Sequence, residues 1–332
     1  MQVVKKKFSE LNSFIDCTFE LTSQCNYKCI HCYNSNIVFK ELNFKEIEVV
    51  MHRIKELGVI ELFLTGGEIF LRKDINEILD LSYSLGFKTT LYSNGSCITR
   101  ELAQKIKNYD MRIEISIYGS NPRTYKCITG SENNYYKTVD SLNMLKKLKV
   151  KFKTKSIIFN QNYNDFYEIC DMIRYYNDYQ DIDNAYDEIS CFLFGDKDRM
   201  QKFRLNDEKI VSILKNSKQY KIISPKYGYC TALKTQLSID PNGNVNPCIG
   251  WRSVIATNML RDNWKEELNS FSNKFREDLK TTAIKCNTCD LFEYCIVCPM
   301  SFYQDTGTHM IHSNESCKFA KIRKYLEKSK GR

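Results

Sequence analysis

Cys25, Cys29 and Cys32 share one short stretch, Cys25-Asn-Tyr-Lys-Cys29-Ile-His-Cys32, with three and then two residues between them. That spacing suits a four-iron four-sulfur (4Fe-4S) cluster. A cubane takes four ligands, so a loop that offers three thiolates leaves one iron open to a small molecule, whereas a structural zinc site needs a fourth ligand close by. The open iron is where chemistry can start. A zinc loop and a set of unrelated free thiols are the competing readings.

Ten of the chain's fifteen cysteines fall in two groups, the three above and seven from Cys230 to Cys317. In the second group Cys230 is followed after twelve residues by Gly243 and after four more by Cys248. Cys286, Cys289, Cys295 and Cys298 come next, with two, five and two residues between them, and Cys317 closes the series. No secretory signal is visible, so such usage points to metal or catalysis rather than to disulfides. Paired zinc sites compete with iron–sulfur clusters here, because two-residue spacings suit both. The single cysteines Cys17, Cys97, Cys127, Cys170 and Cys191 are expected to be small buried hydrophobes.

Three further stretches could hold a ligand. Thr65-Gly66-Gly67-Glu68 has two residues without a Cβ, which lets backbone come close to a bound group. Ser93-Asn94-Gly95 is a polar turn, and Ser116 sits in Ile115-Ser-Ile-Tyr-Gly119; each of these also reads as an ordinary turn or cap.

The elements that position these residues alternate. Short apolar runs read as strands at Cys17–Thr22, Val59–Leu64, Lys88–Tyr92, Arg112–Ile117, Phe152–Phe159 and Glu188–Phe194. Helical patterns lie between them at Phe44–Leu57, Ile75–Leu85, Glu101–Lys107, Tyr135–Leu148 and Phe166–Tyr176; in the first, Ile47, Val50, Met51, Ile54 and Leu57 recur at three- and four-residue steps. Six such repeats predict an α/β fold, a partial (β/α)6 TIM-like barrel, with ligands at the carboxyl ends of the strands. The cysteine loop follows the first strand, at that end. The rhythm stops near Tyr220–Pro225, and a cysteine-rich, loop-rich extension is expected after it. The expected division is a lead-in over 1–16, a barrel over 17–220, the extension over 221–317 and a basic tail over 318–332.

The Cys25 loop and the Gly66-Gly67-Glu68 turn together resemble the radical S-adenosylmethionine enzymes, and the second cysteine group resembles their SPASM extension. That resemblance implies a ligand set and an activity. The free iron would chelate S-adenosyl-L-methionine, whose reductive cleavage gives a 5'-deoxyadenosyl radical. Gly66, Gly67, Glu68, Ser93, Asn94 and Ser116 would surround that ligand, and His31 takes the place of an aromatic residue beside the adenine. Cys286, Cys289, Cys295 and Cys317 would hold an outer auxiliary cluster, and Cys230, Cys248 and Cys298 an inner one whose fourth place is either open or completed by a non-cysteine group. One departure is that Cys295 and Cys298 are separated by two residues where the family commonly has three. The implied activity is hydrogen abstraction from a peptide or protein side chain, ending in a thioether or C–C crosslink in a ribosomally made peptide. A sulfatase-type maturase is a rival, weakened because Ile249 follows Cys248 where an acid serves as base in that group. A peptide epimerase is another and would need a thiol hydrogen donor such as Cys97 or Cys191. A non-catalytic iron–sulfur or zinc protein is the rival of another class.

The charge of +9 is mostly local, since residues 318–332 carry seven bases and one acid. Such a tail is a solvated helix face or an attraction for an acidic peptide; no aromatic-interleaved basic groove suggests nucleic acid. No run is long and apolar enough for a membrane span, and no targeting signal precedes the first strand, so a cytoplasmic protein is expected. The expected partners are a peptide substrate and an electron donor such as flavodoxin or ferredoxin. Only 24 residues precede Cys25, too few for a leader-binding domain of strand and helix, so a separate leader-binding protein is a further expected partner.

Overall fold

The computed structural model of the protein describes residues 13–34, 39–180, 183–186, 188–193, 195, 197–216, 230–282, 286 and 288–330. Six parallel strands form the barrel wall: β1 (Asp16–Thr22), β2 (Glu61–Gly66), β3 (Lys88–Ser93), β4 (Arg112–Ile117), β5 (Phe152–Ile157) and β6 (Ile189–Ser190). Between them run α1 (Phe44–Glu56), α2 (Ile75–Ser84), α3 (Arg100–Asn108), α4 (Pro122–Thr129), α5 (Asn133–Leu148), α6 (Phe166–Tyr176) and the short α7 (Asp183–Tyr186). Each repeat places a strand beside its predecessor, which is the course of a partial TIM-like barrel. The sixth strand is shorter than its apolar run, and Phe194 lies outside the described residues. Helix α4 was hidden by its composition and is set by Pro122 in the first turn and by Asn121, whose side chain accepts from Thr124 N–H.

Alternation along the strands divides the sheet into two chemistries. Cys17, Phe19, Leu62, Leu64, Leu91, Ile113 and Ile115 are buried in one cluster with Ile47, Val50, Ile54 and Ile78 of the covering helices. The intervening positions carry Glu20, Phe63, Tyr92, Glu114 and Ser116, so the face away from that cluster is largely polar. Helix α1 is started by a reciprocal capping box, in which Asn43 Oδ1 accepts from Glu46 N–H at 3.1 Å and Glu46 Oε2 accepts from Asn43 N–H at 2.9 Å. Asn43→Ala is expected to lower unfolding free energy by about 1 kcal/mol, read as a fall in Tm, with no change in metal content.

The extension is less loop-rich than its composition implies. After α8 (Lys197–Gln201) and α9 (Asp207–Asn216), β7 (Gln236–Ile239) pairs parallel with β1, and β8 (Asn244–Asn246) and β9 (Thr257–Asn258) follow antiparallel, giving the order β6-β5-β4-β3-β2-β1-β7-β8-β9. The extension therefore continues the barrel sheet. Its hairpin turns on Asp240, whose carboxylate accepts from the N–H groups of Asn242 and Asn244, and on Gly243 at φ +82°. Then come α10 (Trp264–Thr282), α11 (Pro299–Thr306) and α12 (Asn314–Lys330). The boundary expected near Tyr220–Pro225 and the lead-in 1–12 lie outside the described residues.

The expected tail is a structural element. Cys317 sits in the first turn of α12, and the helix runs straight through the boundary drawn after it. Phe319, Ala320, Ile322, Arg323 and Leu326 are buried, so the bases line one side of a packed helix. Among the described residues no helix is long and apolar enough to cross a membrane.

Candidate active site

β1 ends at Thr22, and the chain turns into the three-cysteine loop at the carboxyl end of the sheet. Backbone contacts fix this loop: Lys28 N–H donates to Thr129 O at 3.1 Å, Ile30 N–H to Ile128 O at 3.0 Å, and Cys32 N–H to Cys29 O at 3.1 Å. Tyr27 anchors it from inside, its hydroxyl donating to Asn134 O at 3.0 Å. Arg199, on α8, donates to Cys32 O at 3.1 Å and to Ile30 O at 2.7 Å. No spacing rule points to Arg199, which is distant in sequence and reaches the loop only in the folded chain. Arg199→Ala is expected to speed loss of iron from the Cys25 loop under chelator challenge several-fold; retention equal to wild type would show that the backbone contacts suffice.

Burial, followed by the nearby Cys32 and Cys25, pushes the Cys29 thiol up to about 12. Burial also raises Cys25, against the Tyr27 N–H that donates to its sulfur at 3.4 Å. Cys32 and Cys25 thus sit close enough to Cys29 to oppose its ionisation, which is the condition a cationic metal group relieves. Among the described residues no three Cys, His, Asp or Glu side chains converge tightly enough to enclose a single metal ion. An iron–sulfur cubane is held by cysteine thiolates, which these three residues can supply, so the donor chemistry suits that group.

Gly66 and Gly67 lie against this loop's first residues. A Cβ on Gly67 would stand 2.2 Å from Gln24 O, and one on Gly66, at φ +147°, 2.3 Å from Thr22 O. The need for glycine here comes from the chain's own backbone as well as from any ligand. Gly67 N–H donates to Thr22 O and Glu68 N–H to Gln24 O, both at 2.8 Å, so the turn and the loop are zipped together. Glu68 is fully buried and turned to β3: its carboxylate accepts from Ser93 Oγ at 2.9 Å, Asn94 N–H at 2.8 Å and Phe70 N–H at 3.2 Å. Burial raises it to about 7 despite those donors.

Ser93 is thus engaged by Glu68, whereas Asn94 faces the cysteines. Asn94 Nδ2 donates to Asn26 Oδ1 at 3.0 Å and lies 3.8 Å from Cys25 Sγ; Asn26 in turn donates to Ser96 Oγ at 2.8 Å. Ser116 lies on β4 opposite Lys155, within reach of the Tyr118 hydroxyl. Beside it Glu114 pairs with Lys155 at 2.6 Å. His31 packs between Tyr118 and Phe159, with ring centroids 5.4 and 4.8 Å away, and burial lowers it to about 4. It serves as a neutral aromatic surface.

The extension reaches into the same space. Arg252, four residues beyond Cys248, is bonded to Glu20 and Asn34 and lies over the Tyr33 ring at 4.8 Å. Glu20 is 1% exposed, and burial raises its carboxyl even with Arg252 beside it. This ion pair joins β1, the cysteine loop and the extension, and nothing in the sequence marked either residue. The seven later cysteines fall into two neighbourhoods. Cys298 and Cys230 both act on the Cys248 thiol, which burial pushes up to about 12. Cys317, Cys286 and Cys289 act on Cys295, likewise pushed by burial to about 12. Cys97 stays by the first loop, its sulfur 3.6 Å from Asn26 Nδ2, and Cys191 is half-buried just beyond β6.

Residues 19–173 match the family model of the Radical SAM superfamily. The chain is 23% identical over 337 residues to the antilisterial bacteriocin subtilosin biosynthesis protein AlbA of Bacillus subtilis (strain 168), across 92% of this chain and 70% of AlbA. It is equally 23% identical, over 328 residues, to the AdoMet-dependent heme synthase of Methanosarcina barkeri (strain Fusaro / DSM 804), across 88% of this chain and 93% of that protein. Its fold is similar to that of native anSMEcpe, solved with AdoMet and the Cp18Cys peptide bound, at a TM-score of 0.72 and 16% identity, covering 96% of this chain and 98% of that one.

Proposed function

We propose, for a chain that carries a Radical SAM domain and is a radical S-adenosylmethionine enzyme, that its substrate is a ribosomally made peptide, joined through a thioether or C–C crosslink. The observation that carries the reading is the three-cysteine loop, zipped by Thr22 and Gln24 to the Gly66-Gly67-Glu68 turn and touching Asn94 through Cys25, at the carboxyl end of the parallel sheet. In this reading Cys25, Cys29 and Cys32 hold one 4Fe-4S cluster, Cys286, Cys289, Cys295 and Cys317 a second, and Cys230, Cys248 and Cys298 a third. Bound there, the first cluster and S-adenosyl-L-methionine would supply the 5'-deoxyadenosyl radical. The protein's own part is orientation and exclusion of water. Asn94 and Ser116 face the ligand, Glu68 holds the Asn94 turn in place, and His31 offers an uncharged ring to the adenine. The Arg252–Glu20 pair locks the extension over the polar face of the sheet, so a peptide must enter beside it.

The AlbA similarity and the peptide held by anSMEcpe support a peptide substrate. A second reading, a radical enzyme acting on a tetrapyrrole, is favoured by the equal identity to the heme synthase. An electron donor such as flavodoxin or ferredoxin and a separate leader-binding protein belong to the peptide reading. So does attraction of an acidic leader to the exposed Lys321 and Lys328 of α12, a field that salt screens over about 8 Å.

The test is anaerobic reconstitution with iron and sulfide, then addition of reductant, S-adenosyl-L-methionine and any short peptide found to be encoded beside the gene. The expected result is 5'-deoxyadenosine together with a peptide lighter by two hydrogen atoms. A peptide of unchanged mass with solvent deuterium incorporated would replace crosslinking with epimerisation. An untouched peptide and a decarboxylated iron porphyrin would decide for the tetrapyrrole.

A further inference from the structure

Arg323 is 6% exposed, yet its guanidinium has little to balance it. One N–H donates to Tyr294 O at 3.2 Å, the guanidinium lies over the Phe319 ring at 5.6 Å, and Nε has no hydrogen-bond partner. Among the described residues no carboxylate forms an ion pair with it. A buried cation without a counter-charge is strongly disfavoured. Its surroundings show where the missing charge belongs. The bond to Tyr294 O sets the guanidinium one residue from Cys295, while the contact between Phe192 and Phe319, with centroids 6.0 Å apart, sets Cys191 against the same helix. Cys295 follows Tyr294 in the chain, and Cys317 precedes Arg323 on α12 itself. A cubane ligated by four thiolates carries net negative charge, and each electron it accepts adds one more.

We infer that Arg323 is the buried counter-cation of the metal group held by Cys286, Cys289, Cys295 and Cys317, and that its charge raises the electron affinity of an iron–sulfur cluster there. The inference rests on the proposed cluster assignment and adds a tuning residue to it. Arg323 touches no reacting atom; it acts through the cluster.

The test uses the full chain, reconstituted anaerobically, as wild type, Arg323→Met and Arg323→Lys. Metal analysis comes first, then a redox titration monitored by electron paramagnetic resonance. One transition is expected to move to more negative potential in Arg323→Met by about 59 mV, tenfold in the one-electron equilibrium constant, with the others unmoved and Arg323→Lys close to wild type. A second readout separates charge from packing: without metal, Arg323→Met should unfold at higher denaturant than wild type, because an unpaired buried charge is gone. Iron-loaded Arg323→Met with every transition unmoved would overturn the inference and leave the cluster reading standing. Zinc in place of iron in the wild-type extension would defeat that reading and the inference with it. Should Arg323→Met fail to hold the outer iron, Arg323→Lys decides: iron retained with the wild-type potential supports the charge role, and iron lost overturns it.

Discussion

Replacing Cys25, Cys29 or Cys32 with Ala is expected to abolish 5'-deoxyadenosine formation and to remove about four iron atoms from a full complement near twelve. Backbone contacts to Ile128 and Thr129 and the Arg199 guanidinium hold the loop that carries the three thiols. Asn26 Nδ2 approaches the neighbouring Cys97, but that thiol sits on the β3 side of the loop, tied to Ser96. Because Cys25 and Cys32 both oppose ionisation of Cys29, a cationic metal group stabilises that thiolate, and loss of one ligand loosens the group. The measurement is deoxyadenosine by chromatography and iron per chain in each purified variant. Cleavage that survives in the triple variant would mean that the first loop is not the seat of the chemistry.

A second large effect is expected at a residue with no side chain. Gly67→Ala would place a methyl 2.2 Å from Gln24 O and 2.7 Å from Gln24 C, both backbone atoms next to Cys25. Relief requires the loop or the turn to shift, and either shift breaks the Gly67–Thr22 and Glu68–Gln24 hydrogen bonds. The expected loss is on the order of 3 kcal/mol in stability, together with loss of the iron bound by the first loop. Gly58→Ala is the control: its φ is +83°, but nothing lies within 4 Å of its added Cβ. There the cost is only the left-handed backbone, about 1 kcal/mol. Equal denaturation midpoints and equal iron in the two variants would refute the packing argument.

The sequence by itself determined what depends on neighbours along the chain. Strand and helix periods are local, so five of the six barrel strands could be read nearly to their ends, and the spacing Cys25–Cys29–Cys32 is a local signal that carries the expectation of a cluster loop. The Trp264–Leu268–Phe271–Phe275–Leu279 series carried a helical period as well, but the cysteines and prolines around it drew the extension toward loops. Strand β7 was hidden for another reason. Gln236–Ile239 is four residues long, and its place beside β1 is a long-range pairing with no local signal.

Only the tertiary structure decided which charges are buried. Glu20 and Arg252, 232 positions apart, read as ordinary surface residues until the extension folds over the sheet and removes both from water. Glu68 was legible as a motif, but its use as an acceptor for Ser93 and Asn94 comes from β3 lying next to β2. The basic tail shows the limit most plainly. Composition counted its bases correctly, but whether Arg323 meets water or the ring of Phe319 depends on what packs against the helix, and burial is a property of the assembled core rather than of the chain.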